Sequence, residues 1–179
     1  QQILAKKGIQ ITAFVSQIAH LELTDDYRDI DKSRIDDNIV RCPSEELAQE
    51  MIQLIDQVRK EGDSLGGIVR CEIENPIVGL GEPVFDRLHA DLGKAMLSIN
   101  AVKGFEIGSG FGAVLMKGSE HNDEFTSEDG KISTSSNHSG GVQGGISNGQ
   151  NICFNVAFKP VATISKTQTT VDKEGKEVE

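Results

Sequence analysis

Apolar and polar residues alternate along much of this chain, and the period of the alternation names the element. Ile9, Ile11, Ala13 and Val15 alternate with Gln10, Thr12, Phe14 and Ser16, which predicts a strand with one face buried. Residues 19–41, dense in Asp and Arg, keep no steady period and read as irregular, with room for one short helical turn. Pro43 and Ser44 open a helix in which Leu47, Met51, Leu54, Ile55 and Val58 share a stripe, ended by Gly62 and the Gly66-Gly67 pair. Val69, Cys71 and Ile73 set against Arg70, Glu72 and Glu74 predict a half-exposed strand, which Pro76 closes. A second helix begins near Asp86, and its Leu88, Leu92, Ala95, Met96 and Ile99 repeat the spacing of the first.

Two strand-like runs at 102–107 and 113–117 are joined through Gly108, Gly110 and Gly112, and residues 119–139 form a long polar loop. Ile152, Phe154, Val156 and Phe158 alternate with Cys153, Asn155 and Ala157 in a strand that stops at Pro160. The last ten residues read as a strand, a Lys173-Glu174-Gly175-Lys176 turn and the start of a second strand. Together these elements predict an α+β fold: a layered sandwich of mainly antiparallel sheet with helices packed on one face, forming a single domain over residues 1–179.

Composition narrows the function classes. A net charge of -10 repels a phosphate backbone and no basic stripe interleaved with aromatics offsets it, which argues against nucleic-acid binding. Apolar runs fall short of the roughly 18 residues a membrane span needs, and no secretion signal opens the chain, so the cytoplasm is the expected compartment. Cys42, Cys71 and Cys153 are odd in number and widely spaced, the pattern of reduced thiols rather than of disulfides or a zinc site. The chain begins at Gln1 rather than Met and stops inside a hairpin, as an internal piece of a longer protein does.

Few segments carry candidate chemistry. The Gly108-Gly110-Gly112 spacing lacks the following helix and acidic residue of a dinucleotide site and reads as a bend or tight turn. Residues 136–149 hold five glycines, whose backbone can turn N–H groups toward an anion or a flat ring, without the Lys-Ser ending of a P-loop. A mobile hinge is the alternative reading of the same stretch. Lys159, beside rigid Pro160 and ahead of Thr163, can make charge-assisted bonds to a phosphate; a solvated strand-end lysine is the alternative. His20, His89, His121 and His138 fall in no metal or triad spacing.

Five blocks, in order, resemble those of the chorismate synthase family: Glu61-Gly62-Asp63-Ser64-Leu65-Gly66-Gly67, the run from Gly79 to Asp86, Ser98-Ile99-Asn100-Ala101-Val102-Lys103-Gly104, the run from Asn137 to Gly149, and Lys159-Pro160. The resemblance implies a homotetrameric cytoplasmic lyase that uses reduced FMN, with NADP among its associated cofactors, in the shikimate pathway of aromatic amino acid biosynthesis. The implied reaction converts 5-enolpyruvylshikimate 3-phosphate to chorismate and phosphate by 1,4-elimination, without net redox change. Matching the blocks implies flavin contacts at Asn100, Ala101, Gly144, Lys159, Pro160, Val161, Ala162 and Thr163, with backbone contacts only at Val161 and Ala162.

The family's Gly-Glu-Ser-His-Gly, Arg-x-His-Ala-Asp, arginine-serine-rich and Arg-x-Asp-Pro segments have no counterpart here, so the proton-transfer histidines and any catalytic residue are expected outside the chain. His89-Ala90-Asp91 lies in a helix stripe and a different block, and is not matched to them. A non-catalytic binding or assembly module, using the glycine run and the polar loop, is the competing expectation.

Overall fold

The computed structural model describes residues 2–26 and 28–178, apart from the side chains of Glu128 and Lys131. A short helix α1 (Gln2–Ala5) leads into strand β1 (Gln10–Ile18), which turns back as β2 (Leu21–Glu22). A 3-10 helix (Lys32–Asp37), helix α2 (Glu45–Lys60), strand β3 (Gly67–Glu74), helix α3 (Leu88–Leu97) and strand β4 (Val102–Ile107) follow. After a second 3-10 helix (Gly110–Leu115) come α4 (Gly118–His121) and the pairs β5 (Phe125–Glu128) with β6 (Lys131–Thr134) and β7 (Val142–Gln143) with β8 (Ile146–Ser147). Strand β9 (Ile152–Phe158) and a hairpin of β10 (Thr170–Val171) and β11 (Glu177–Val178) follow.

The main sheet runs β2-β1-β3-β9-β4 with every neighbour antiparallel, which is the α+β arrangement the sequence predicts. Helix α2 starts where predicted: the Ser44 hydroxyl accepts the Leu47 N–H, Glu45 and Glu46 occupy the first turn, and Arg59 and Lys60 the last, each sign matched to the helix dipole. Ala48 and Met51 are its buried positions, against Cys42, Val15 and Ile18 at the β1 edge of the sheet. Helix α3 lies at the other edge, where Leu88, Leu92 and Met96 pack on a cluster of Val102, Val142, Ile152, Phe154 and Val156. Gly93 lets the Phe105 ring approach this helix, since a Cβ there would stand 3.3 Å from the ring.

Several expectations change on folding. Strand β1 buries Phe14 and Ser16, while Ala13 is exposed. Both faces are thus partly covered: Phe14 fills a cluster with Leu23, Ile35 and Leu47, supplied by the irregular segment and α2, while Val15 packs against Ala48 and Met51 and Ile9 is buried just before the strand. Helix α2 packs near the β1 edge of the sheet and α3 near the β4 edge, with Leu47 of α2 also reaching the Phe14 cluster. Strand β3 is central, so Glu72 is wholly buried instead of half-exposed.

Residues 113–117 are not a strand. Phe111 N–H donates to the Glu106 carboxylate at 3.2 Å and winds the chain into a 3-10 turn beyond β4, the sheet edge. The expected loop at 119–139 contains α4 and the β5–β6 hairpin, paired from Phe125 with Thr134 to Glu128 with Lys131. Residues 19–41 are mostly irregular but contribute β2 and a 3-10 helix.

Candidate functional site

Helix α3 ends at Ser98, and the chain turns through Asn100 and Ala101 before entering β4. Ala101 holds φ of 69°, a left-handed conformation that lets the chain reverse within two residues. Its carbonyl accepts the Lys159 N–H at 3.0 Å, just beyond the pairing of Val102 with Phe158. The start of β4 and the exit of β9 are thereby joined, bringing Asn100 and Ala101 beside Lys159 and Pro160. Gly66 closes the other side, where a Cβ would stand 2.6 Å from the Phe158 carbonyl oxygen and 3.0 Å from Pro160 Cδ.

Lys159, Pro160, Val161, Ala162 and Thr163 are all exposed, and the Lys159 ammonium donates to the Pro160 carbonyl at 3.2 Å. An ammonium with one exposed carbonyl partner is available to an anion. A shallow groove of about 370 Å³ runs past Pro160, Phe158, Ala157 and Gly66. A larger concavity, about 980 Å³, lies by β1 and is lined by Thr12, Lys32 and Arg41; it shares no residue with this cluster.

Gly144 lies elsewhere. It is exposed in the turn between β7 and β8, with φ of 62°, and a Cβ there would meet nothing within 4 Å. The next residue ties this turn to the N-terminus of α3, because the Gly145 carbonyl accepts the Leu88 N–H at 2.8 Å. Asn100 and Ala101 follow the C-terminus of the same helix, and ten residues at 1.5 Å each set the two stretches about 15 Å apart. Neither Gly144 nor Lys159 lines the groove past Pro160 or the concavity by β1.

A family model for chorismate synthase matches residues 1–179. The chain belongs to the chorismate synthase family. The chorismate synthase of Cytophaga hutchinsonii is 56% identical over 179 residues, taking in 99% of this chain and 50% of that protein. That of Christiangramia forsetii is 58% identical over 173 residues, taking in 97% and 48% respectively. A crystal structure of chorismate synthase superposes with a TM-score of 0.81 at 35% identity, covering 89% of this chain and 52% of that one. The chain spans about half the length of the curated relatives it matches.

Within this chorismate synthase-family chain, folding creates one polar centre that spacing gives no hint of. Asp123 is almost fully buried and accepts four hydrogen bonds: from the hydroxyls of Ser136 and Ser139 at 2.6 Å each, and from the N–H groups of His138 and Ser139 at 2.7 and 2.9 Å. Burial by itself raises the Asp123 pKa, but the four donors outweigh it and hold the carboxyl at about 2. His138 is held on its other side too, its carbonyl accepting the Ser109 N–H at 2.8 Å and its Nδ1 lying 3.1 Å from Ser109 Oγ. Asp123 thus fixes the entry to the glycine run. Its contacts span 13 to 16 residues within a polar stretch, where neither helical nor strand periodicity can mark them.

A second polar row crosses the sheet. The Arg70 Nε donates to Asn155 Oδ1 at 3.2 Å, and Asn155 Nδ2 donates to Glu106 Oε1 at 2.9 Å. Beside it Glu72 is paired with Lys32, Nζ to Oε2 2.5 Å, although neither Glu72 oxygen receives a well-directed hydrogen bond. Among the described residues there is no group of three or more His, Cys, Asp or Glu that could hold a metal ion, and no helix long and apolar enough to cross a membrane.

Proposed function

We propose that this chain supplies one side of the flavin site of a chorismate synthase. The whole protein is an FMN-dependent carbon–oxygen lyase that converts 5-enolpyruvylshikimate 3-phosphate to chorismate and phosphate. The observation that carries the reading is the bond between Ala101 and Lys159. It joins two family blocks, far apart in sequence, that the resemblance separately assigns to the flavin.

The exposed Lys159 ammonium suits an anionic group such as a phosphate ester. The backbone of Asn100, Ala101 and residues 160–163 offers hydrogen-bonding groups beside it, and the exposed Gly144 backbone is open to approach without a side chain in the way. When bound, reduced FMN supplies electron density that helps the phosphate leave and is then recovered. The protein residues here bind and orient; the proton-transfer groups and the arginines for a substrate with a phosphate and two carboxylates belong to other parts of the protein. A cytoplasmic homotetramer is the working form in this reading.

The test is a titration of FMN into the chain, followed by flavin fluorescence, with chorismate formation assayed alongside. Weak binding that falls further in Lys159→Ala, with no chorismate formed, is the expected result. Robust turnover by the chain alone would place the catalytic groups within it. An FMN affinity unmoved by both Lys159→Ala and Gly144→Val would favour a binding or assembly module.

A further inference from the structure

Residues 159–169 form no helix or strand, yet part of this stretch is tied down by a single turn, the exit of α2. The Ser64 hydroxyl donates to the Val161 carbonyl at 2.6 Å, across 97 positions of sequence. The Gly62 carbonyl accepts the Ser165 N–H at 2.9 Å, and the Asp63 carboxylate meets the Lys166 ammonium at 2.6 Å while also accepting the Ser64 N–H at 2.9 Å. Gly66 completes the turn by letting Phe158 and Pro160 come close.

These contacts differ in what they fix. The Asp63–Lys166 pair is exposed on both sides, and such pairs hold geometry weakly. The Ser64 bond is directional and lands in the middle of the five-residue stretch. A trans peptide points its C=O and its following N–H in opposite directions. With the Val161 carbonyl held toward Ser64, the Ala162 N–H is turned away from the α2 exit. Val161 and Ala162 have no polar side-chain atoms, so the orientation of this peptide unit decides what they present to a polar ligand.

We propose that Ser64 is a positioning residue for the flavin site, setting the Val161–Ala162 peptide plane so that the Ala162 N–H faces the bound group. The inference rests on the reading of residues 159–163 as flavin contacts.

The experiment titrates FMN into the chain and its Ser64→Ala, Ser64→Thr, Ser64→Val and Lys159→Ala variants, following amide chemical shifts and the exchange of the Ser165 N–H. Losing one directed hydrogen bond should weaken FMN binding about fivefold to tenfold in Ser64→Ala and Ser64→Val. Ser64→Thr, which keeps the hydroxyl in the same shape as Val, should stay within about twofold of the parent. The FMN-induced shift of the Ala162 amide should be lost in the first two and kept in the third.

If Lys159→Ala weakens binding while Ser64→Ala and Ser64→Val do not, or if Thr and Val behave alike, the role given to Ser64 is wrong and the flavin reading stands. If FMN moves no amide of residues 159–163 in the parent chain, the flavin reading fails and takes the role of Ser64 with it.

Discussion

The carbonyl of Ala101 accepts the N–H of Lys159, and Ala101 reaches it only by adopting a left-handed backbone. The conformation costs an L-residue roughly 1 kcal/mol or more, and glycine adopts it freely. Ala101→Gly is therefore expected to stabilise the chain by about 0.5 to 1 kcal/mol and Ala101→Val to destabilise it by more than that. Urea unfolding of the three proteins checks the order.

Asp123 carries the clearest pH signature. Its folded pKa of about 2 lies below the ordinary 3.8, so its contribution to stability is complete above that ordinary value and disappears as pH falls through about 2. Asp123→Asn should flatten the acid limb of a stability-against-pH curve between these values. Asp123→Ala leaves four donors without their acceptor and should cost about 2 to 4 kcal/mol at neutral pH. Amide exchange at Ser139 and Gly141 reports whether the loss is local to the glycine run.

The Lys32–Glu72 pair behaves asymmetrically. Burial raises the Glu72 carboxyl above its ordinary 4.5, with Lys32 pulling it down only in part. For Lys32 burial is the largest influence and acts downward, but Glu72 and Glu74 together outweigh it and raise the ammonium. Both directions are consistent, because Glu72 is fully enclosed beside one ammonium while Lys32 is partly solvated and has two carboxylates. Ionised Glu72 is thus disfavoured by the fold, and its contribution is most favourable below 4.5 and declines as pH rises through the raised folded value. Lys32→Met should cost about 3 to 5 kcal/mol at neutral pH by stranding that carboxylate, and the loss should shrink on mild acidification, when Glu72 takes a proton. Melts at two pH values decide it.

Gly108→Ala tests the junction of β4 with the glycine run. Gly108 has φ of 57°, and a Cβ would collide with the His138 carbonyl oxygen and crowd the Gly140 nitrogen, both backbone atoms that cannot swing aside. A destabilisation of more than about 2 kcal/mol is expected. An unchanged denaturant midpoint would contradict the geometry.

The three thiols should be inert in the folded chain. Burial pushes Cys71 up to about 11 and Cys153 up to about 12, and it raises Cys42 as well. Labelling with a disulfide reagent at pH 8 should be slow in native conditions and complete in denaturant. A fast-reacting site in the native chain would show that one of these side chains opens locally.

Much of the fold was legible because its signals are local. Ser44 and the stripe through Leu47 and Met51 marked α2, the alternation from Ile152 to Phe158 marked β9, and Gly175 marked the last hairpin. Periodicity failed where a distant partner decides. It puts Phe14 on the polar face of β1, because Phe14 is buried by Leu23 and Ile35 rather than by any neighbour in its strand. It took residues 113–117 for a strand, because nothing local shows that β4 is the edge of the sheet. It left 119–139 as loop, because the β5–β6 strands are short and polar.

The sequence by itself determined the antiparallel α+β class, the principal helices and the family, since these depend on residue type and spacing along the chain. Only the tertiary structure decided which residues meet: Ala101 with Lys159, Ser64 with Val161, and Asp123 with Ser136, His138 and Ser139, while Gly144 stands a helix length away. Hydrogen bonds at 2.6 to 3.0 Å between residues up to 97 positions apart depend on how the sheet and helices stack. No period or motif within a window of neighbours encodes that stacking directly.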